Sequence, residues 1–173
     1  MANEYLKRTP TSGGNEKVWT ISAWIKQNDA IGANSNGSFL FGYYEEGASP
    51  APRGSIQINE SAIDGRVTAG WNPSGSSWYQ TIANGSYRDT GSWYNLVVVV
   101  DTTKELISDG IQIYFNGVKR DPGGYLGSWG SGAAALNVGT GFNSKAEHYI
   151  GAFASNLQNS NLTLSDMFFS PKL

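Results

Sequence analysis

The sequence predicts an all-β protein, a two-sheet antiparallel jelly-roll sandwich, and three observations carry that prediction. First, the 173 residues include 22 glycines, with 13% aromatic and only 15% charged residues, a composition suited to pleated surfaces joined by tight turns. Second, roughly ten short runs of alternating or β-branched residues follow one another between Gly, Asn, Ser and Pro clusters. Third, Trp93-Tyr94-Asn95-Leu96-Val97-Val98-Val99-Val100-Asp101 is followed by Ile111 to Lys119, which is broken by Asn116-Gly117. Two residues that tolerate positive φ make a two-residue type I′ turn and fix the hairpin register. So many short strands bury their apolar faces best by stacking two sheets.

The elements follow in order. Residues 1–16 are polar, end in Ser12-Gly13-Gly14-Asn15 and read as an extended lead-in; residues 17–173 read as a single domain, the length suiting one core. Val18 to Lys26 alternates, with Trp19, Ile21, Ala23 and Ile25 on a core face and Thr20, Ser22, Trp24 and Lys26 opposite. After a polar loop come Phe39–Tyr44, the proline-bearing loop Glu45 to Gly54, Ser55–Asn59, Arg66–Trp71 and Trp78–Ala83, the last preceding a second turn signal, Asn84-Gly85. Leu96 to Val100 is a continuous apolar run and reads as a strand buried on both faces, so its alternate valines need a cover from the lead-in or a neighbouring subunit. Pro122 to Gly132 is glycine-dense and reads as a loop; Ala135–Gly139, His148–Ala152 and Leu162–Phe169 read as the last strands. No amphipathic pattern of three helical turns occurs, and no internal repeat.

Charge narrows the partners. Twelve basic against fourteen acidic residues give a net charge of −2 and an isoelectric point near 5.3, so neither nucleic acid nor an anionic membrane is expected as a partner. The absence of cysteine removes disulfides, thiolate metal sites and a cysteine nucleophile together. The opening Met1-Ala2-Asn3-Glu4-Tyr5 has no cationic stretch followed by an apolar run, so a cleaved secretion signal is not expected. No run approaches the ~20 apolar residues of a membrane helix.

Four motifs in order resemble the laminin G-like, concanavalin A-like jelly-roll family: Trp19 to Trp24 (Trp-Thr-x-Ser-x-Trp), Trp93 to Val98 (Trp-Tyr-x-Leu-Val-Val), Tyr114 to Val118 (Tyr-x-Asn-Gly-Val) and Tyr149 to Ala152 (Tyr-Ile-Gly-Ala). The opening Tyr5 to Pro10 with Ser12 to Asn15, and the central stretch Arg88 to Thr103, are similar to versions of this domain in tailed bacteriophages. The resemblance spans nearly the whole chain. It implies a non-enzymatic virion protein, a capsid decoration or tail appendage subunit such as a tail-fibre component. Such a subunit docks on other virion proteins, homo-oligomerises in the particle and also binds host-surface glycan. The alternative it leaves open is a free-standing glycan-binding lectin or receptor-binding adhesin. Docking falls to the lead-in, with Lys7 and Arg8, or to the polar face of the first strand, with Trp24.

The family also hosts glycan hydrolases with a Glu-x-Asp-x-x-Glu strand motif, which this sequence lacks. Retaining hydrolysis needs two carboxyl groups ~5–5.5 Å apart. Of the nearest pairs, Glu45 and Glu46 point to opposite faces if extended, and Glu60 and Asp64 lie in a turn. His148 is the sole histidine, so a Ser-His-Asp relay would have to run through it; it opens the Tyr149-Ile150-Gly151 strand and reads as a partly exposed strand-end residue. The resemblance raises a single calcium ion on the sandwich rim, for which Asp101, Asp109, Asp121 and Asp166 supply oxygen ligands; of these, Asp101 and Asp109 are the leading pair and otherwise end strands and cap turns. Ligand binding points instead to the aromatics near Gly, Ser and Asn, namely Trp71, Trp78, Tyr79 and Trp129. Sugar C–H faces pack on such rings, and the same amphipathic rings also serve protein contacts.

Overall fold

A computed structural model describes residues 5–28, 37–49, 51–59, 65–74, 78–126, 137–153 and 160–171. It is a sandwich of two antiparallel sheets. The strands are β1 (Leu6–Arg8), β2 (Val18–Gln27), β3 (Ser38–Tyr44), β4 (Arg53–Asn59), β5 (Arg66–Asn72), β6 (Tyr79–Ala83), β7 (Tyr94–Asp101), β8 (Ile111–Phe115), β9 (Val118–Arg120), β10 (Pro122–Leu126), β11 (Glu147–Ile150) and β12 (Leu162–Ser170). A single helical turn, α1 (Ile107–Gly110), precedes β8. The larger sheet has the order β1-β11-β3-β4-β5-β6-β10 and the smaller β12-β2-β7-β8-β9.

Period-2 patterning decides which side chains meet between the sheets. Trp19, Ile21, Ala23 and Ile25 of β2 are buried, joined by Leu96, Val98 and Val100 of β7 and by Ile56, Val67 and Ala69 of the larger sheet. The Trp19 indole reaches the 137–146 loop, where its Nε1 donates to Thr140 Oγ1 at 3.0 Å. The Thr140 hydroxyl donates in turn to the Glu16 carbonyl at 2.8 Å, and the ring packs on Phe142 with centroids 4.8 Å apart. A buried indole N–H thus has its partner, and the lead-in is tied to the core through it.

Four expectations change. Val97 and Val99 are only half-buried while Val98 and Val100 are buried, so β7 alternates and is not enclosed on both faces. Ser22 and Thr20 of β2 flank the two outward valines in register, which leaves that face of the smaller sheet partly wet. The lead-in does not cover them; its residues Leu6, Lys7 and Arg8 pair with Ile150, Tyr149 and His148 at the edge of the larger sheet. The glycine-dense segment contains a strand, β10, which pairs with β6 through a register shift between Pro122 and Gly124; backbone pairing outweighs low side-chain propensity at an edge. Finally, Asn137 to Gly139 form no strand. Asn137 instead donates its N–H to the Thr102 carbonyl at 2.6 Å, and its φ of 64° is a turn conformation.

The two Asn-Gly turns part company. Asn116 and Gly117 both have positive φ, 49° and 77°, and Phe115 pairs with Val118 across them, as a two-residue type I′ hairpin demands. Asn84-Gly85 is no hairpin. Gly85 alone has positive φ there, 107°, and the chain leaves β6 of the larger sheet for β7 of the smaller.

The sandwich has two lateral seams. On the β6 to β8–β9 side, Tyr87 packs face to face on Phe115 with centroids 3.4 Å apart, the Arg120 guanidinium lies 5.9 Å from the Tyr87 ring, and a cavity of about 10 Å³ lies among Thr81, Ala83, Ile111, Ile113 and Arg120. Between the edge strands β1 and β12 a cavity of about 860 Å³ opens.

Candidate functional site

Alternation along the strands sorts the aromatic candidates. Trp71 and Tyr79 are paired in register and face the sandwich interior, where they are 1% and 8% exposed and belong to the core. Rings so placed have no face to offer a ligand; the Gly, Ser and Asn residues near them in sequence do not bring them to the surface. Trp129 lies outside the described residues. Trp78, one residue before β6, is half-buried, and the Arg53 guanidinium carbon sits 5.6 Å from its ring centroid.

Around Trp78 the outer face of the larger sheet supplies polar groups. Arg53 opens β4 and pairs with Tyr44 of β3 and with Asn72 of β5, so the three stand in one row. Tyr43 is buried inward, and period 2 therefore turns Tyr44 outward, where its ring meets Phe153 edge-on at 6.5 Å. Tyr44 and Arg53 are half-buried and Asn72 is buried. A half-buried indole with a planar guanidinium over its ring and a half-buried phenol in the same row combines an apolar surface with hydrogen-bonding groups, the chemistry that sugar rings fit. Sequence reasoning singles out Trp78 and misses Arg53 and Tyr44. The usable signal was the Tyr43-Tyr44 doublet at a strand end, because one of two adjacent strand residues must face out.

The docking candidates do not form one surface. Lys7 donates to Glu147 Oε1 at 2.8 Å on the outer face of the larger sheet, and that bond raises the lysine and lowers the carboxyl from their ordinary values; the Tyr149 hydroxyl also donates to Glu147. Arg8 is exposed, pairs in register with His148 and borders the cavity between β1 and β12. Trp24 is 42% exposed on the opposite side of the molecule, on the outer face of β2.

The calcium candidates stand on separate elements. The Asp101 carboxylate, buried at the end of β7, accepts from the Thr103 N–H at 3.0 Å and from its hydroxyl at 2.5 Å, with Lys104 Nζ 3.8 Å away. It caps its own turn. Asp109 is exposed on α1 and Asp121 is exposed after β9. Asp166, at φ 49°, stands in the bulge of β12. Among the described residues no group of three or more His, Asp or Glu side chains is placed to hold a metal ion. Glu45 and Glu46 are exposed, and Glu60 and Asp64 lie outside the described residues. No described helix is long and apolar enough to cross a membrane.

His148 is buried and committed. Its Nε2 accepts the Asn143 N–H at 3.0 Å and its Nδ1 lies 2.8 Å from the Ala146 carbonyl, an arrangement that needs the neutral ring with the proton on Nδ1. Burial, aided by Arg8, lowers its pKa.

A family description, the Concanavalin A-like lectin/glucanases superfamily, matches residues 2–163. The chain belongs to that superfamily. Its fold is shared by the native heptameric SAP-like pentraxin from Limulus polyphemus, at TM-score 0.56 and 18% identity over 97% of this chain and 70% of that one. A variant of human galectin-16 superposes at TM-score 0.52 with 9% identity, covering 98% and 96% of the two chains. A botulinum neurotoxin type C structure, described by cell entry dependent on two ganglioside molecules, matches at TM-score 0.56 and 17% identity over 92% of this chain and 33% of the toxin chain. No curated protein matches the chain in sequence.

Proposed function

We propose that this protein is a non-catalytic binding domain that takes a glycan on the outer face of its larger sheet, with Trp78 as the stacking platform and Arg53 and Tyr44 as its polar border. The observation that carries the proposal is the half-open indole with the guanidinium 5.6 Å from its centroid, at one end of a sheet whose other aromatic candidates, Trp71 and Tyr79, are sealed inside. The superfamily supports it, as does the similarity in fold to a galectin and to a toxin whose entry depends on gangliosides.

The test is a glycan panel with the intact chain and with Trp78→Ala. Stacking on one ring is worth about 1–2 kcal/mol, so the variant binds its best glycan roughly tenfold more weakly. Binding that is equal in both proteins removes Trp78 from the site, and silence across the panel with the intact chain overturns the glycan reading.

The setting we propose is a bacteriophage particle, with the domain as a decoration or tail appendage subunit on other virion proteins. What supports it is the similarity of Tyr5 to Pro10, Ser12 to Asn15 and Arg88 to Thr103 to phage versions of the domain. Mass spectrometry of purified particles then finds the chain at stoichiometric copy number; its absence leaves the free-standing lectin or adhesin.

A further inference from the structure

We infer that the open seam between β1 and β12 receives an extended strand from a partner protein, a segment with alternating apolar side chains and a carboxylate, paired along the free edge of β1. The seam is remote from Trp78, and the inference does not depend on the glycan reading.

Three observations converge on this occupant. Among the described residues β1 pairs only with β11 and ends the larger sheet, while β12 ends the smaller, so two rows of backbone donors and acceptors flank the cavity with no described strand between them. The cavity behind those edges, about 860 Å³, is lined by Leu6 and Ile150 on one side, Phe41 beneath and Met167 and Phe169 on the other. A strand added to β1 sends every second side chain into that apolar space. The polar lining fixes the charge. Among the described residues it includes Lys7, Arg8 and His148 and no acidic residue; Lys7 is held by Glu147 and both His148 nitrogens are occupied, which leaves the exposed Arg8 to meet a carboxylate. A second copy fits less well, because β1 laid antiparallel on β1 sets Lys7 and Arg8 against the same cations.

The experiment titrates the intact chain with an octapeptide of alternating valine and threonine ending in aspartate. It uses the same peptide N-methylated on every second amide, and one ending in lysine. Calorimetry and amide hydrogen exchange are the readouts. The inference expects saturable binding, slowed exchange at Leu6 to Arg8, loss of binding on N-methylation along one edge, and weakening by about tenfold with the lysine peptide. Arg8→Glu reverses the preference between the two end groups, and Leu6→Glu weakens both while leaving the melting curve in place. Equal binding of the N-methylated peptide overturns the inference in favour of a simple apolar ligand. So does sedimentation of the unliganded chain as a dimer whose Leu6 to Arg8 amides are already protected. Lack of binding by any of the three peptides also overturns it.

Discussion

The two lateral seams of this sandwich are built from the same kinds of residue and end differently. At the β6 to β8–β9 seam, Tyr87 comes from the segment crossing between sheets and stacks on Phe115, with Arg120 alongside. At the β1 to β12 seam Phe169 and Met167 are only half-buried, and although Phe169 reaches Trp19 at 5.8 Å and Phe41 at 5.7 Å, nothing among the described side chains fills the space beside them. A sandwich buries its sheet faces by alternation alone, but its flanks close only where a particular side chain is delivered into them. The flank left open is where a partner gains the most contact.

The sharpest way to break this comparison is to remove one ring from each seam. Tyr87→Ala empties a filled flank and costs about 3–5 kcal/mol of unfolding free energy, the range for deleting a buried aromatic. Phe169→Ala, at a lip already facing a cavity, costs about 1–2 kcal/mol. Urea denaturation of the two variants reads the difference. Equal costs mean that the open seam contributes to the core as much as the closed one, and the contrast fails.

Much of this architecture is legible in the sequence, and the exceptions share a cause. The alternation of Trp19 to Ile25, of Ile56 with Ile58, and of Val67 with Ala69 and Trp71 is enough to name the core faces, because burial on one face imposes period 2. The hairpin at Asn116-Gly117 is legible because its turn chemistry is local. Leu6 to Arg8 and Pro122 to Leu126 are not legible as strands: they sit at the two edges of the larger sheet, where pairing on one side suffices and side-chain pattern is weak. The valine run misleads for the opposite reason, since β-branched residues suit a half-wet outer face as well as a buried one. At the candidate site, Trp78 is legible as an aromatic in a polar loop. Its separation from Trp71 and Tyr79 depends on where β5 and β6 begin their alternation, and the approach of Arg53 depends on register between β4 and β5.

A smaller effect sharpens the contrast through pH. His148 lies on the open seam, facing Arg8, with Phe41 and Tyr43 packed on its ring at 5.8 and 6.2 Å. Burial lowers its pKa from the ordinary 6.5. The unfolded chain therefore takes up a proton that the folded chain refuses, and stability present above pH 6.5 falls as the pH drops through the lowered folded value. The slope is at most ~1.4 kcal/mol per pH unit. Protonation also turns Nε2 from acceptor to donor against the Asn143 N–H, so the loss begins in the 137–146 loop. Melting temperatures between pH 7 and pH 5 fall for the native chain and fall less for His148→Gln. Parallel curves for the two proteins exclude His148 as the source.

The smallest effect is at Leu6, and it separates what the open seam does for the fold from what it offers a partner. Leu6 is 69% exposed and contributes its backbone to β1 whatever its side chain. Leu6→Ala therefore changes unfolding free energy by no more than about 0.5 kcal/mol, well below the cost at Phe169 across the cavity. A larger loss means that the leucine packs into the seam in solution and partly closes it, which would make the lead-in its own occupant. A near-zero loss leaves an apolar side chain held in water at the mouth of an apolar cavity, beside a strand edge that no described residue pairs. Folding alone gives no reason for that arrangement, and strand addition does.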